Sequence, residues 1–219
     1  MKTFTETCFI YSDDALAYLT KADPALGRVI ATQGRLQRPV TPDLFYALCE
    51  SIVSQQISVA AAKTVFARFL ACVGEVTPVG VHAVPTELIQ QCGMSMRKAS
   101  YLSHAATSAL LGTPSYGYTP PNPDSLPVVN FDILHTLSDA ELITTLSTLK
   151  GVGKWTAQML LIFSLNRLDV TSFDDLALRR GLKNLHNLSD MPTRAEFDAL
   201  TAPHSPYRSV ASLYLWAIS

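Results

Sequence analysis

The chain has 219 residues, enough for one large domain or two packed lobes with a substantial core. Hydrophobic residues make up 48% and charged residues 16%, yet no run reaches the ~18 uninterrupted apolar residues of a membrane span, so a soluble protein with no membrane partner is expected. A formal net charge of −1 gives no global attraction for nucleic acid, so any such binding must rest on a local patch.

The stretch MKTFTETCFIYSDD turns acidic where a secretory leader would carry a basic head and a long apolar run, which makes the cytoplasm the default location. Cys8, Cys49, Cys72 and Cys92 stand far apart, with no CxxC and no histidine at ligand spacing. That pattern argues against zinc, an iron-sulfur cluster or a disulfide framework, and the four are read as buried thiols.

From Thr41 to Gly74 the apolar spacing predicts two helices. Pro42 suits a first helical turn behind Thr41, and Phe45, Leu48, Cys49 and Ile52 make one face. The break falls at SQQIS. Ser58 then fits an N-cap, and Phe66, Phe69, Leu70 and Val73 recur at helical spacing before Gly74 closes the second helix. A short helix in TELIQQCG ends at Gly93, and Ser95 opens another that stops at Gly112. Five prolines between 113 and 130 rule out regular helix there and predict a surface excursion. Ser138 and Glu141 stand at capping-box spacing, helix resumes to Leu149, and it restarts after two glycines as KWTAQMLLIFSLN. A further helix begins near Asp174, Thr193 and Glu196 repeat the capping box, and Pro206 opens a last helix through Trp216. No strand and no repeat stand out, so the fold class is all-α.

Two stretches carry chemistry. In LKGVGKWTAQ, residues 149 to 158, the glycines can take backbone angles closed to other residues and admit a second backbone, while Val152 plugs the core. The amides opening the next helix, beside Lys150 and Lys154, form a ready phosphate site. An ordinary helical hairpin with glycine caps fits the same residues. In SFDDLALRRG either Asp174 or Asp175 can cap the helix while the other carboxylate points away.

Taken together, DPALGRVIATQG (23–34), FYALCESIVSQQISVAAAKTVFARF (45–69), GMSMRKASYL (93–102), LKGVGKWTAQMLLIFSL (149–165), DVTSFDDLALRRG (169–181) and PYRSVASLYLW (206–216) resemble, in order, segments of the helix-hairpin-helix DNA glycosylases. The similarity is greatest to their 3-methyladenine DNA glycosylase II branch, and it spans most of the chain after Asp23. The resemblance implies two helical lobes with a DNA-binding cleft between them and no amino-terminal β domain. One lobe, 41–172, would hold a wedge turn and the hairpin; the other, 1–40 with 173–219, would carry the catalytic aspartate. The excursion at 113–130 is longer than the family pattern, and the iron-sulfur cysteines of a sister branch are absent.

By that resemblance Asp175 is the catalytic carboxylate and Asp174 a capping or loop-fixing partner. Trp155 stands where bifunctional members place a Schiff-base lysine, which implies a monofunctional enzyme without a lyase step. Trp155 and Trp216 would line the base pocket, with Met159 and Leu176 at positions that are aromatic in some relatives. Gln55 and Gln56 would sit at the DNA wedge, with Gln56 the intercalating side chain. Amides at Gly151, Gly153 and Trp155, with Lys154 and Thr156, would hold the DNA backbone. Arg97, Lys98, Arg179 and Arg180 could extend the patch or be solvated surface. No cofactor is required by this reading, although a structural sodium or potassium ion could lie on carbonyls near Ser147, Leu149 and Val152. The implied partner is double-stranded DNA containing alkylated bases, bound by a monomer. Two alternatives stay open: a noncatalytic DNA-binding protein, and a glycosylase for uracil, hypoxanthine or an oxidised purine.

Overall fold

In the computed structural model, which describes residues 7–114, 117 and 127–219, the elements run β1 (Thr7–Cys8), α1 (Asp13–Ala22), α2 (Pro24–Gln33), β2 (Pro39–Val40), α3 (Leu44–Ser54), α4 (Val59–Val73), α5 (Pro78–His82), α6 (Thr86–Gln90), α7 (Met96–Gly112), α8 (Asp139–Leu146), α9 (Lys154–Phe163), α10 (Leu176–His186), α11 (Arg194–Thr201) and α12 (Arg208–Ala217). Among the described residues no helix is long and apolar enough to cross a membrane.

Side-chain caps set most of the helix starts. Ser58 accepts the Ala61 amide, Ser95 accepts that of Lys98, and the Ser138–Glu141 and Thr193–Glu196 boxes close in both directions. Two expected starts shift. Asp43, not Thr41, caps α3 by accepting the Tyr46 amide, which leaves Pro42 ahead of the helix. The last helix begins at Arg208, two residues after Pro206.

The chain divides into one unit of Thr41–Leu160 and a second in which 7–40 joins Leu161–Ser219. The return to the second unit therefore falls within α9, earlier than the boundary at 172 read from the sequence. In the first unit Leu48, Ile52, Phe69, Leu102, Ala106, Leu142 and Leu146 are fully buried. Each large apolar side chain buried this way contributes on the order of 1.5–3 kcal/mol. Of the proline-rich stretch, residues 115, 116 and 118–126 lie outside the described residues. At its end the stretch alternates, with Val128 64% exposed while Val129 is buried and donates its N–H to Ser108 O at 3.2 Å.

In the second unit, α10 turns Leu178, Gly181, Leu182 and Leu185 inward at helical spacing, and α12 meets it with Val210, Leu213 and Tyr214. A Cβ on Gly181 would stand 2.3 Å from Leu215 O, so the glycine lets the α10 and α12 backbones close together. An antiparallel pair, Thr7 with Val40 and Cys8 with Pro39, adds a two-residue sheet to this otherwise helical fold. A pairing that short leaves no period-two pattern for a sequence reading to find. Cys49 and Cys92 are buried as expected, while Cys8 and Cys72 are half-buried, and all four are free thiols.

Candidate active site

Asp175 is the residue at which the loop after Val170 turns into α10. Its φ of −82° and ψ of 108° are still extended, and its Oδ1 accepts the Leu178 amide at 2.9 Å. Asp175 is thus itself the N-cap, which corrects the assignment of that task to Asp174, an exposed residue. The cap must be the last residue before helical dihedrals begin and must reach an amide three positions on, and only Asp175 satisfies both. The indole Nε1–H of Trp216 donates to the same Oδ1 at 3.3 Å. Two donors thus meet on one carboxylate oxygen of a residue that is 8% exposed. Trp216, half-buried on α12, lies against the ring of Phe163 with centroids 5.5 Å apart and planes at 33°. Leu176, the first residue of α10, is 56% exposed.

The approach to Asp175 is zipped onto the start of α12. Arg208 grips Asp169 through both carboxylate oxygens, Nε to Oδ1 and Nη2 to Oδ2, each at 2.8 Å. Ser205 Oγ donates to Oδ2 at 2.8 Å, and the Arg208 amide to Oδ1 at 3.2 Å. Ser209 extends the join: its Oγ accepts the Val170 amide at 2.9 Å and donates to Val170 O at 3.0 Å, while its own amide reaches Leu168 O at 2.9 Å. Burial alone would raise the Asp169 pKa, but the hydrogen bonds from Arg208 and Ser205 outweigh it and hold the carboxyl below its ordinary value. Sequence reading placed DVTSFDD and PYRS in separate segments; the structure makes them two sides of one joint. Nearby, the Arg179 guanidinium lies 4.6 Å from the Phe173 ring centroid and donates to Pro192 O at 3.2 Å, which ties it to the loop.

In the first unit the hairpin is built by two different glycine requirements. Gly151 has φ of 84°, and a Cβ there would lie 2.2 Å from Tyr101 Cδ2. Gly153 has neither constraint: its φ is outside the left-handed range and a Cβ would meet nothing within 4 Å. Val152 is buried between them, as expected. Its amide bonds Leu149 O at 3.1 Å, and Gly153 O accepts the Ala157 amide at 3.0 Å, so α9 opens directly after the turn. Lys154 is exposed and Trp155 is 41% exposed, whereas Met159 is half-buried and the Thr156 side chain is buried.

The two glutamines of SQQIS separate in the structure. Gln55 donates its side-chain Nε2 to Gly151 O at 2.9 Å, which makes it a strut between turn and hairpin. Gln56 is exposed and held at φ of 57°, a backbone angle uncommon outside glycine. Lys98 directs its ammonium at Val53 O and Gln55 O, at 2.8 and 2.6 Å, so it braces the turn and does not extend a phosphate patch.

The family model for HhH-GPD superfamily base excision DNA repair proteins matches residues 49–203, and the chain belongs to that family. It is 34% identical over 175 residues to DNA-3-methyladenine glycosylase 1 of Schizosaccharomyces pombe, covering 78% of this chain and 71% of that protein. Among solved structures, it is similar to a DNA-3-methyladenine glycosidase from Bacillus halodurans, with 31% identity, a TM-score of 0.79, and coverage of 94% of this chain and 90% of that one. The structure of the Schizosaccharomyces pombe 3-methyladenine DNA glycosylase in complex with abasic DNA matches at 31% identity and a TM-score of 0.74, covering 93% of this chain and 95% of that one.

Proposed function

We propose that this chain is a monofunctional DNA glycosylase that hydrolyses the N-glycosidic bond of alkylated bases, of the 3-methyladenine or 7-methylguanine type, in duplex DNA and leaves an abasic site. The observation that carries this reading is the Asp175 carboxylate, fixed by the Leu178 amide and the Trp216 indole in a chain whose relatives carry 3-methyladenine glycosylase names.

The target atom is out of reach inside a base stack, so the nucleotide must be everted, at a cost of about a few kcal/mol. Gln56, exposed in its turn, would be the side chain that fills the gap. The bond between C1′ and the base nitrogen then breaks with its electron pair leaving on the base, and the sugar becomes oxocarbenium-like. A preorganised carboxylate stabilises that charge and orients a water, which adds to C1′ and loses a proton. An alkylated base that is already cationic leaves as a neutral molecule, so this chemistry requires no strong acid. Trp155 is 41% exposed, and an indole face attracts a cationic ring by roughly 0.5–2 kcal/mol. With tryptophan there, that position supplies no amine for a Schiff base, and adjacent side chains on a helix point ~100° apart, which turns Lys154 elsewhere.

The hairpin would hold the DNA backbone through amides at Gly151, Gly153 and the start of α9, with Lys154. A monovalent cation would lie on the carbonyls near Ser147, Leu149 and Val152 in the same turn. Leu149 O accepts one hydrogen bond and keeps a second lone pair for an ion. Such an ion would rigidify the hairpin and take no part in bond cleavage.

The test is incubation with duplex DNA bearing methylated purines. Release of free base with abasic sites left unbroken is the expected result. A borohydride-trapped protein–DNA adduct would overturn the monofunctional assignment, and no base release would overturn the enzymatic one.

A further inference from the structure

Lys98 breaks two local rules. It places a cation in the first turn of α7, where the helix dipole is unfavourable to it, and burial holds its pKa below that of an ordinary lysine. A residue that opposes its own helix is expected to serve something outside it. What it serves is the carboxyl end of α3, where a cation is favoured: its ammonium bonds Val53 O and Gln55 O. Immediately beyond, Gln56 takes its left-handed conformation.

One turn along the same face of α7, Tyr101 lies against Gly151 so closely that no Cβ fits between them. The loop is closed by Gln55, whose backbone carbonyl accepts from Lys98 and whose side chain donates to Gly151 O at 2.9 Å. The turn and the hairpin, 96 residues apart in sequence, are therefore joined to each other and to a single helix face.

We infer that Lys98 is a positioning residue that ties the Gln55–Gln56 turn to the Gly151 hairpin, so that gap filling and strand binding are set by one face of α7. This rests on the glycosylase reading and on Gln56 as the gap-filling side chain. Filling a gap matters only where a partner strand must be kept from collapsing back. Lys98→Met keeps the aliphatic stem and removes the ammonium. The kcat/KM for a methylated base in paired duplex falls by about tenfold or more, whereas that for the same base in single-stranded DNA falls by no more than about threefold. Lys98→Arg, which can still donate to two carbonyls, restores most of the duplex activity. In the DNA-free protein, amide exchange of Lys98→Met rises over both 53–58 and 149–153. Should Lys98→Met not fold, Gln55→Met removes the other end of the tie and carries the same expectations.

Equal losses on both DNA forms would show a merely structural lysine and overturn the inference. So would exchange that rises over 53–58 alone. Wild-type protein that releases no base from either DNA overturns the glycosylase reading instead, and the exchange result still decides whether turn and hairpin are tied.

Discussion

Replacing Gly151 with alanine tests the hairpin from the backbone outward. At φ of 84° the residue is in a conformation that disfavours a Cβ, with a penalty of roughly 1–2 kcal/mol. The new methyl would also stand 2.2, 2.7 and 3.0 Å from Tyr101 Cδ2, Cε2 and Cγ, so the ring must move. Forcing extra volume into a packed site costs about 1–3 kcal/mol. The sum, roughly 2–5 kcal/mol, corresponds to a fall in melting temperature of about 4–20 °C for a chain of this size. Urea denaturation of Gly151→Ala in the wild-type and Tyr101→Ala backgrounds separates the two contributions. Without the ring the alanine should cost only about 1–2 kcal/mol, because the backbone penalty alone survives. A cost below about 0.5 kcal/mol in the wild-type background would show that Gly151 is not required by its backbone angle, and the same cost in both would show that Tyr101 does not oppose a Cβ there.

Gly153→Ala provides the contrast: with open space around its Cβ, stability should change by less than about 0.5 kcal/mol while affinity for DNA weakens, as measured by fluorescence anisotropy. Trp216→Phe keeps the ring against Phe163 but removes the donor to Asp175, and steady-state kinetics should show kcat reduced about 5- to 30-fold with melting temperature little changed. Because the folded-state pKa of Asp169 lies below its ordinary value of 3.8, the unfolded chain binds the proton more tightly. The stabilisation from the Arg208 joint is therefore complete above about pH 4 and is lost as pH falls through the folded pKa, and Asp169→Asn should flatten that acid limb in denaturation curves. Lys154→Ala should reduce the salt slope of DNA binding by about one phosphate contact, whereas Arg179→Ala, whose guanidinium is committed to Phe173 and Pro192, should leave the slope unchanged.

What was legible in the sequence followed the range of the interactions. Caps act over three residues, so Ser58, Ser95, Ser138 and Thr193 announced their helices, and the glycines flanked Val152 where a turn had to be. Single-residue choices were harder. Asp174 and Asp175 are adjacent, chemically identical and both suited to capping; only backbone dihedrals separate them. The two hairpin glycines looked alike, yet one is demanded by φ and by Tyr101 and the other by neither.

Partners far apart in the chain left no periodic trace. The bonds from Trp216 to Asp175 and from Arg208 to Asp169, spanning 41 and 39 residues, could be seen only as motifs that occur together. Gln55 was legible as a residue of the wedge turn and Lys98 as a patch or surface charge, but that each bonds a backbone carbonyl is settled by where α3, α7 and the hairpin pack. Phe163, which supports Trp216, read as one more apolar residue of a buried helix.

The most direct test of the account compares wild-type protein with Asp175→Asn on methylated duplex DNA. Asparagine caps helices about as well as aspartate, so the variant keeps an oxygen to accept from the Leu178 amide and the Trp216 indole while the negative charge is lost and the second oxygen becomes an NH2 group. Melting temperature and DNA affinity should be unchanged, with base release reduced by at least about a hundredfold. Base release by Asp175→Asn at close to the wild-type rate would contradict it.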